Sequence, residues 1–466
     1  MAAAVVGLAN ALVAFKMMNL ACGAFWAGNP KNMTESSIHA SKVRPKHPSR
    51  DVVSTLSDRS AVQPMQQGIW IVSGTATLRN RSASSIHVSK VRSRPTNVDN
   101  PYFGVTGVRH RLYFGRDEGE PLRIEVALAD KTKSISWGGG KTDTVVSQFL
   151  ESSGRELLEI AVDWFAQDDA GNIWYFGENV WNYQNGRIAD TDGSWTAGVD
   201  GPPGMIMPGD PVIGQRFNPE NIPGVVFETV DVQALDASYK LPTGVRLDEV
   251  LKLHETLDDG TEEFKLYAPG YGNVHVKIPG IETVKLVYAL PNDAIDAPLP
   301  GELGVMLDGL QGISTNGSGH LASVREALST FEERGDAVPT SLERLAHKRL
   351  GALDEALVGR SKDVVRVAAL DLEQTVLDVV RLYRTEWPVD LDVLDLCARL
   401  ALAATDAGDR ATAATAAAIA KGVSERSTTI LSHQTERAAA AFDAAANDGK
   451  LADIAKAASK LRAAVR

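Results

Sequence analysis

The sequence predicts an α+β multidomain chain, with an antiparallel β-sandwich or barrel domain followed by an all-α helical bundle. Three observations predict it. Over residues 98–290, β-branched and aromatic residues are interrupted at short intervals by Gly, Pro, Asn and Asp, the signature of short strands and tight turns. Beyond residue 320 the composition shifts to Ala, Leu, Val, Glu and Arg, with apolar residues recurring every three or four positions. Between them, Pro-rich 291–300 and Gly/Ser-rich 312–319 mark a linker over 291–319.

The first 97 residues read differently. Residues 2–15 form an apolar run too short to span a bilayer and suited to the core of a secretory signal, so 1–30 is taken as a signal-like segment. Leu20-Ala21-Cys22-Gly23 has the form of a lipoprotein cleavage site, which would anchor the chain peripherally at a membrane through Cys22. Residues 31–97 carry eleven Lys/Arg and three acids and form a basic linker on a chain whose net charge is −11. Within it, Ser36-Ser37-Ile38-His39-Ala40-Ser41-Lys42-Val43-Arg44 recurs as Ser84-Ser85-Ile86-His87-Val88-Ser89-Lys90-Val91-Arg92; two copies are too few for a solenoid. The overall acidity argues against a nucleic-acid partner. Two cysteines exclude a disulfide scaffold and a four-thiolate zinc site.

In the β-rich region, strands are expected at 109–114, 122–128, 143–150, 156–167, 172–183, 225–235, 249–256, 263–268 and 274–278. Asn185-Gly186 and Asp258-Asp259-Gly260 are turn signals, since Gly accepts the positive φ of tight hairpins. The hairpin around Asp168-Asp169-Ala170-Gly171 is the most informative. A four-residue loop would pair Gln167 with Asn172, Phe165 with Trp174 and Asp163 with Phe176. One face then carries Asp163, Phe165, Gln167, Asn172, Trp174, Phe176 and Glu178; the other, with Val162, Trp164, Ala166, Ile173 and Tyr175, reads as core. Asp163 and Glu178 become diagonal neighbours beside aromatic rings, a pair suited to general acid/base work or to binding a cation or sugar hydroxyl. The loop 190–204, rich in Gly and acids and carrying Trp195, adds Asp190, Asp192 and Asp200, oxygen donors that would suit calcium although no twelve-residue calcium loop is present.

These same residues resemble a family of uncharacterised exported bacterial proteins, often lipoproteins. The resemblance rests on Asp163-Trp164-Phe165-Ala166-Gln167-Asp168 through Gly171-Asn172-Ile173-Trp174-Tyr175-Phe176-Gly177-Glu178, then Gly193-Ser194-Trp195 with Ala197-Gly198-Val199-Asp200-Gly201. Pro208, Gly214-Gln215 and Tyr267-Ala268-Pro269-Gly270-Tyr271-Gly272 fit the same pattern. It spans about residues 98–278 and implies export, not an activity.

Helices are expected at 320–334, 341–358, 362–385, 391–406, 410–446 with an interruption near Gly422, and 450–464. Ser341, Ser361, Asp390 and Asp409 are the candidate N-caps. Val364, Val365, Ala368, Leu372, Val376, Val379, Val380 and Tyr383 form an apolar stripe. No Glu-x-x-His occurs in this third, so a di-iron core is not expected; His320, His347 and His433 stand alone, and Cys397 reads as an inert core thiol. Walker, Gly-x-Ser-x-Gly, Ser-x-x-Lys, His-Glu-x-x-His and Gly-x-Gly-x-x-Gly motifs are missing.

The expectation is therefore an extracellular or envelope-associated binding protein. Its ligand would be a glycan or a small polar or cationic molecule, held by Phe165, Trp174, Tyr175, Trp195 and Asp200 with Asp163 and Glu178. A hydrolase using Asp163 and Glu178 as its carboxylate pair, and a structural envelope protein, are the alternatives.

Overall fold

The computed structural model describes residues 96–316, 320–359, 361–383 and 388–466. The signal-like segment with Cys22, the basic linker and its duplicated motif lie outside the described residues.

Fifteen strands among the described residues join in one antiparallel sheet. In chain order they are β1 (His110–Asp117), β2 (Glu120–Trp137), β3 (Gly140–Ser153), β4 (Glu156–Gln167), β5 (Ile173–Gln184), β6 (Arg187–Asp190), β7 (Trp195–Thr196), β8 (Gly204–Met207), β9 (Arg216–Phe217), β10 (Asn221–Ile222), β11 (Val226–Lys240), β12 (Arg246–Leu257), β13 (Glu262–Ala268), β14 (Gly272–Ile278) and β15 (Glu282–Leu290). The first strand lies in the middle. One arm runs β1-β2-β3-β4-β5-β6, and the other runs β1-β15-β14-β13-β12-β11-β10. Consecutive hairpins build each arm; Asn185 (φ 52°) and Gly186 (φ 72°) make the expected turn between β5 and β6. The path does not close, but β8 attaches to β5, β9 to β11, and the Met205 N–H donates to the Asn218 carbonyl at 2.9 Å, tying the two arms together.

One side of the sheet buries Tyr113, Ile124, Phe149, Phe165, Leu253, Val276 and Leu286, with Val98, Phe103, Val105 and Val108 from the segment before β1 packed among them. The opposite side of the central strands carries Leu112, Val287 and Tyr288, which belong to the core of the helices.

Eight helices among the described residues follow: α1 (Gly301–Asn316), α2 (Leu321–Glu333), α3 (Thr340–Gly359), α4 (Lys362–Val380), α5 (Val389–Asp406), α6 (Arg410–Arg426), α7 (His433–Asp448) and α8 (Leu451–Val465). α1 corrects the linker reading of 291–319. Its glycines suggest a loop, yet Leu303, Met306, Leu310 and Ile313 recur at helical spacing and are buried. Gly309 and Gly312 face α2 so closely that a Cβ would come within 2.6 Å of Val324 and His320. The break in the long Ala-rich helix is also displaced, to the segment between Arg426 and His433. Gly422 instead lies inside α6 against the sheet, its carbonyl accepting from Gln148 Nε2 at 2.8 Å. Of the expected caps, Asp409 accepts from the Thr412 N–H at 3.0 Å, whereas Ser361 makes no side-chain cap bond. α3 starts before Ser341, and Asp390 lies within the first turn of α5. Val364 is exposed, while the rest of its stripe is buried.

A buried ionic network joins sheet and helices, so the two regions do not stand apart as tethered modules. Arg123 of β2 donates to both oxygens of Asp378 in α4, at 3.0 and 2.9 Å, and contacts Glu125. Glu125 accepts from Arg426 of α6 at 2.9 Å; Arg426 also donates to Asp390 of α5 at 3.0 Å, where Arg381 and Ser427 converge. Burial alone would raise the carboxyls of Glu125 and Asp390, but the guanidinium groups outweigh it and hold both well below the usual range.

Candidate functional site

The β4–β5 hairpin places the carboxylate pair, by a route the sequence does not show. Asp168 organises its loop: Oδ1 accepts the N–H groups of Ala170 and Asn172, each at 2.9 Å, and Oδ2 accepts Asn172 Nδ2 and Trp174 Nε1, each at 2.9 Å. The loop thereby includes Asn172, and Gln167 pairs with Ile173, one residue beyond the expected register. A second slip follows at Phe176–Gly177, where Gly177 has φ 117°. A Cβ there would lie 2.2 Å from the Trp195 carbonyl, so the bulge and the close approach of β7 both require glycine. Beyond the bulge Asp163 is directly opposite Glu178, closer than the expected diagonal.

The slips exchange the two aromatic residues. Tyr175, expected on the other face, pairs with Phe165 and lies on the face of Asp163; Trp174 pairs with Ala166 on the opposite face. Phe165 and Tyr175 stack with centroids 4.8 Å apart, and Trp195 meets Tyr175 edge-on at 5.4 Å. The Tyr175 hydroxyl donates to Asp163 Oδ1 at 2.8 Å. Trp174 takes no part in this cluster and is bound instead to Asp168.

Asp163, Glu178, Phe165 and Tyr175 are 0% exposed and Trp195 is 2% exposed. Burial pushes the Asp163 carboxyl up to about 7, even though hydrogen bonds from Tyr175 and Glu178 pull the other way. Burial and the neighbouring Asp163 raise Glu178 well above the usual carboxylate range. Carboxylates only accept, so two that face each other hydrogen-bond only when one holds a proton. Both oxygens of Glu178 and Oδ2 of Asp163 close no well-formed hydrogen bond, the Tyr175 hydroxyl acting on Glu178 only weakly, and a proton retained between the carboxyls would bridge them.

Sequence reasoning missed the continuation of this pair. Glu159, four residues before Asp163 and so on its face of β4, is raised to about 8 by burial and by Asp163. Strand alternation alone would have found it. Glu220, between β9 and β10, meets Glu178 from the other arm of the sheet and is raised by burial, then by Glu228 and Glu178. The buried Trp195 indole N–H faces it without closing a well-formed hydrogen bond. Further along, Lys265 on β13 binds Glu255 of β12 at 2.6 Å and Glu263 at 3.2 Å, and feels Glu228. A line of buried acids thus crosses the β-region from β4 to β12, with Lys265 at its far end.

Asp200 is exposed and separate. Its carboxylate accepts the Thr196 N–H at 2.8 Å and closes its own turn. Asp190 accepts from Asn182 Nδ2 at 2.6 Å and from the Asp192 N–H at 3.1 Å. These three acids do not converge, and among the described residues no group of three or more His, Cys, Asp or Glu is placed to hold a metal ion. In the helices, His347 pairs with Glu332 and His433 with Glu436; the buried Cys397 thiol is pushed up to about 12 by its burial.

Comparison of the chain with family models, curated proteins and solved structures finds no match. No helix among the described residues is long and apolar enough to cross a membrane.

Proposed function

We propose that this is an exported, envelope-associated binding protein of the family its motifs resemble, with the curled sheet as an incompletely closed barrel. Its ligand is a small polar cation received by the Asp163–Glu178–Glu220 cluster in exchange for protons. One observation carries the reading: three buried carboxylates in contact, drawn from both arms of the sheet, with no basic side chain among the described residues bonded to them. An arrangement held by protons exchanges them for a cation at little electrostatic cost. The glycan form of the reading has less support, because Phe165, Tyr175 and Trp195 are packed against one another and offer no open stacking face. Both carboxyls are 0% exposed, so any ligand reaches them only through local opening, and the hydrolase form must admit a larger molecule than a small cation.

Thermal melting at pH 8 against choline, putrescine, calcium, sodium and short oligosaccharides tests the proposal. A ligand at about 100 times its Kd adds about 2.7 kcal/mol, a shift of a few degrees. The expected result is a shift with one organic cation that shrinks at pH 5.5 and is lost in Glu178→Gln. No shift with any of them would favour the structural reading, which the burial of the whole cluster also supports.

A further inference from the structure

The same domain holds a buried cation that the acid cluster does not explain. Arg111 of β1 is 5% exposed and lies one strand beyond β15 from the β13–β14 hairpin. Its Nε donates to the Tyr271 carbonyl at 2.8 Å and Nη1 reaches the Val108 carbonyl at 3.5 Å. No carboxylate pairs with it among the described residues. The ionisable groups that face it are the phenols of Tyr113 and Tyr267, both raised by burial and so neutral at physiological pH. An arginine keeps its charge throughout that range, and a guanidinium removed from water without an anion costs several kcal/mol.

Local backbone makes room for it. Gly272 has φ 76°, and a Cβ there would lie 2.9 Å from Arg111 Nη2. This is the last glycine of Tyr267-Ala268-Pro269-Gly270-Tyr271-Gly272, a motif with no part in the acid cluster. Gly107 and Gly270, which border the two loops whose carbonyls hold the guanidinium, are exposed.

We propose that Arg111 is the anchor of an oxyanion site, taking the carboxylate or phosphate group of a ligand against its free N–H donors beneath the 106–108 and 269–271 loops. Two carbonyls occupy part of the five-donor fork; the rest matches a planar or tetrahedral oxyanion. The site is independent of the cation reading above, which stands or fails on other residues.

The test is the melting temperature of the full chain in sodium phosphate, sodium acetate and sodium chloride of matched ionic strength, for the wild type, Arg111→Lys and Arg111→Met. The wild type should gain a few degrees in phosphate or acetate over chloride, saturating with concentration, and Arg111→Met should lose that gain. Arg111→Lys keeps the charge without the fork and should need several-fold more anion. A separation of phosphate from acetate tells which oxyanion the site takes. An equal gain in Arg111→Met would be general salting-out and would overturn the proposal, as would a wild type indifferent to both oxyanions. Should Arg111→Met not fold, titration calorimetry of phosphate and acetate into the wild type decides: saturable heat supports the site, and its absence with both rejects it.

Discussion

The molecule buries charge in two ways. Between sheet and helices, Arg123, Arg381 and Arg426 face Glu125, Asp378 and Asp390, and each carboxylate has a guanidinium within hydrogen-bond distance. Inside the β-region, Asp163, Glu178 and Glu220 face one another. In the first set Glu125 and Asp390 are held ionised, Asp378 is raised by a burial that Arg123 does not fully offset, and the network fixes where the helices sit. The second is stable only while it holds protons. Burial raises a carboxyl in both; Glu125 and Asp390, each between two guanidinium groups, are pulled below the ordinary range, whereas Asp163, Glu178 and Glu220 have no such partner among the described residues and stay above it.

The contrast can be broken first at its strong side. Arg426→Met leaves Glu125 and Asp390 buried with one guanidinium fewer, and should cost about 3–5 kcal/mol in urea unfolding. A loss under 1 kcal/mol would mean that water or side-chain movement replaces the missing cation. Gly177→Ala comes next. With φ at 117° and the Trp195 carbonyl where the methyl group would go, about 2–3 kcal/mol should be lost. The β7 strand should also detach, seen as loss of Trp195 burial by fluorescence. Glu178→Gln is expected to go the other way. An amide can donate to Asp163 without a retained proton, so melting at pH 8 should rise by a degree or more while melting at pH 5 changes little. A drop at pH 8 would show that Glu178 is ionised and paired. The smallest effect belongs to Asp200→Ala, about 0.5 kcal/mol for a surface turn, with ligand shifts unaltered.

Much of this was legible beforehand and some was not. Alternation and turn residues mark most of the long strands, because the side-chain period of two is imposed by the pleat. They say nothing of which distant strands pair, so the place of β15 beside β1 has no local signal. The hairpin shows the same limit more finely. Asp163 and Glu178 can be singled out, but the Asp168 loop and the Gly177 bulge each shift the register by one, and together they exchange Tyr175 for Trp174 beside the acids. The first slip rests on the bonds of the Asp168 side chain, and the second is not visible without β7, whose approach demands the glycine. Glu220 is invisible for a related reason, since a loop residue meets Glu178 only because the two arms curl together. In the helices, Gly309, Gly312 and Gly422 read as loop or break signals and instead permit close packing. Glycine marks flexibility or proximity, and only the neighbours say which.

The central claim is that the β-region acids hold protons in the native state. Asp163 is raised to about 7 and Glu159 to about 8, against about 4 in an unfolded chain. Between pH 4 and 8 the native state binds more protons than the unfolded state, so this stabilisation is complete below pH 4 and fades as pH rises through 7–8. Glu125 and Asp390 act oppositely, their contribution being present above pH 4 and lost only as pH falls further. Urea unfolding of the wild type and of an Asp163→Asn/Glu178→Gln double variant, each from pH 4.5 to 8.5, measures this directly. Wild-type stability should fall across that range more steeply than that of the double variant, which keeps Glu159 and Glu220 among the raised acids. A wild type that is flat or gains stability towards pH 8 would contradict the account.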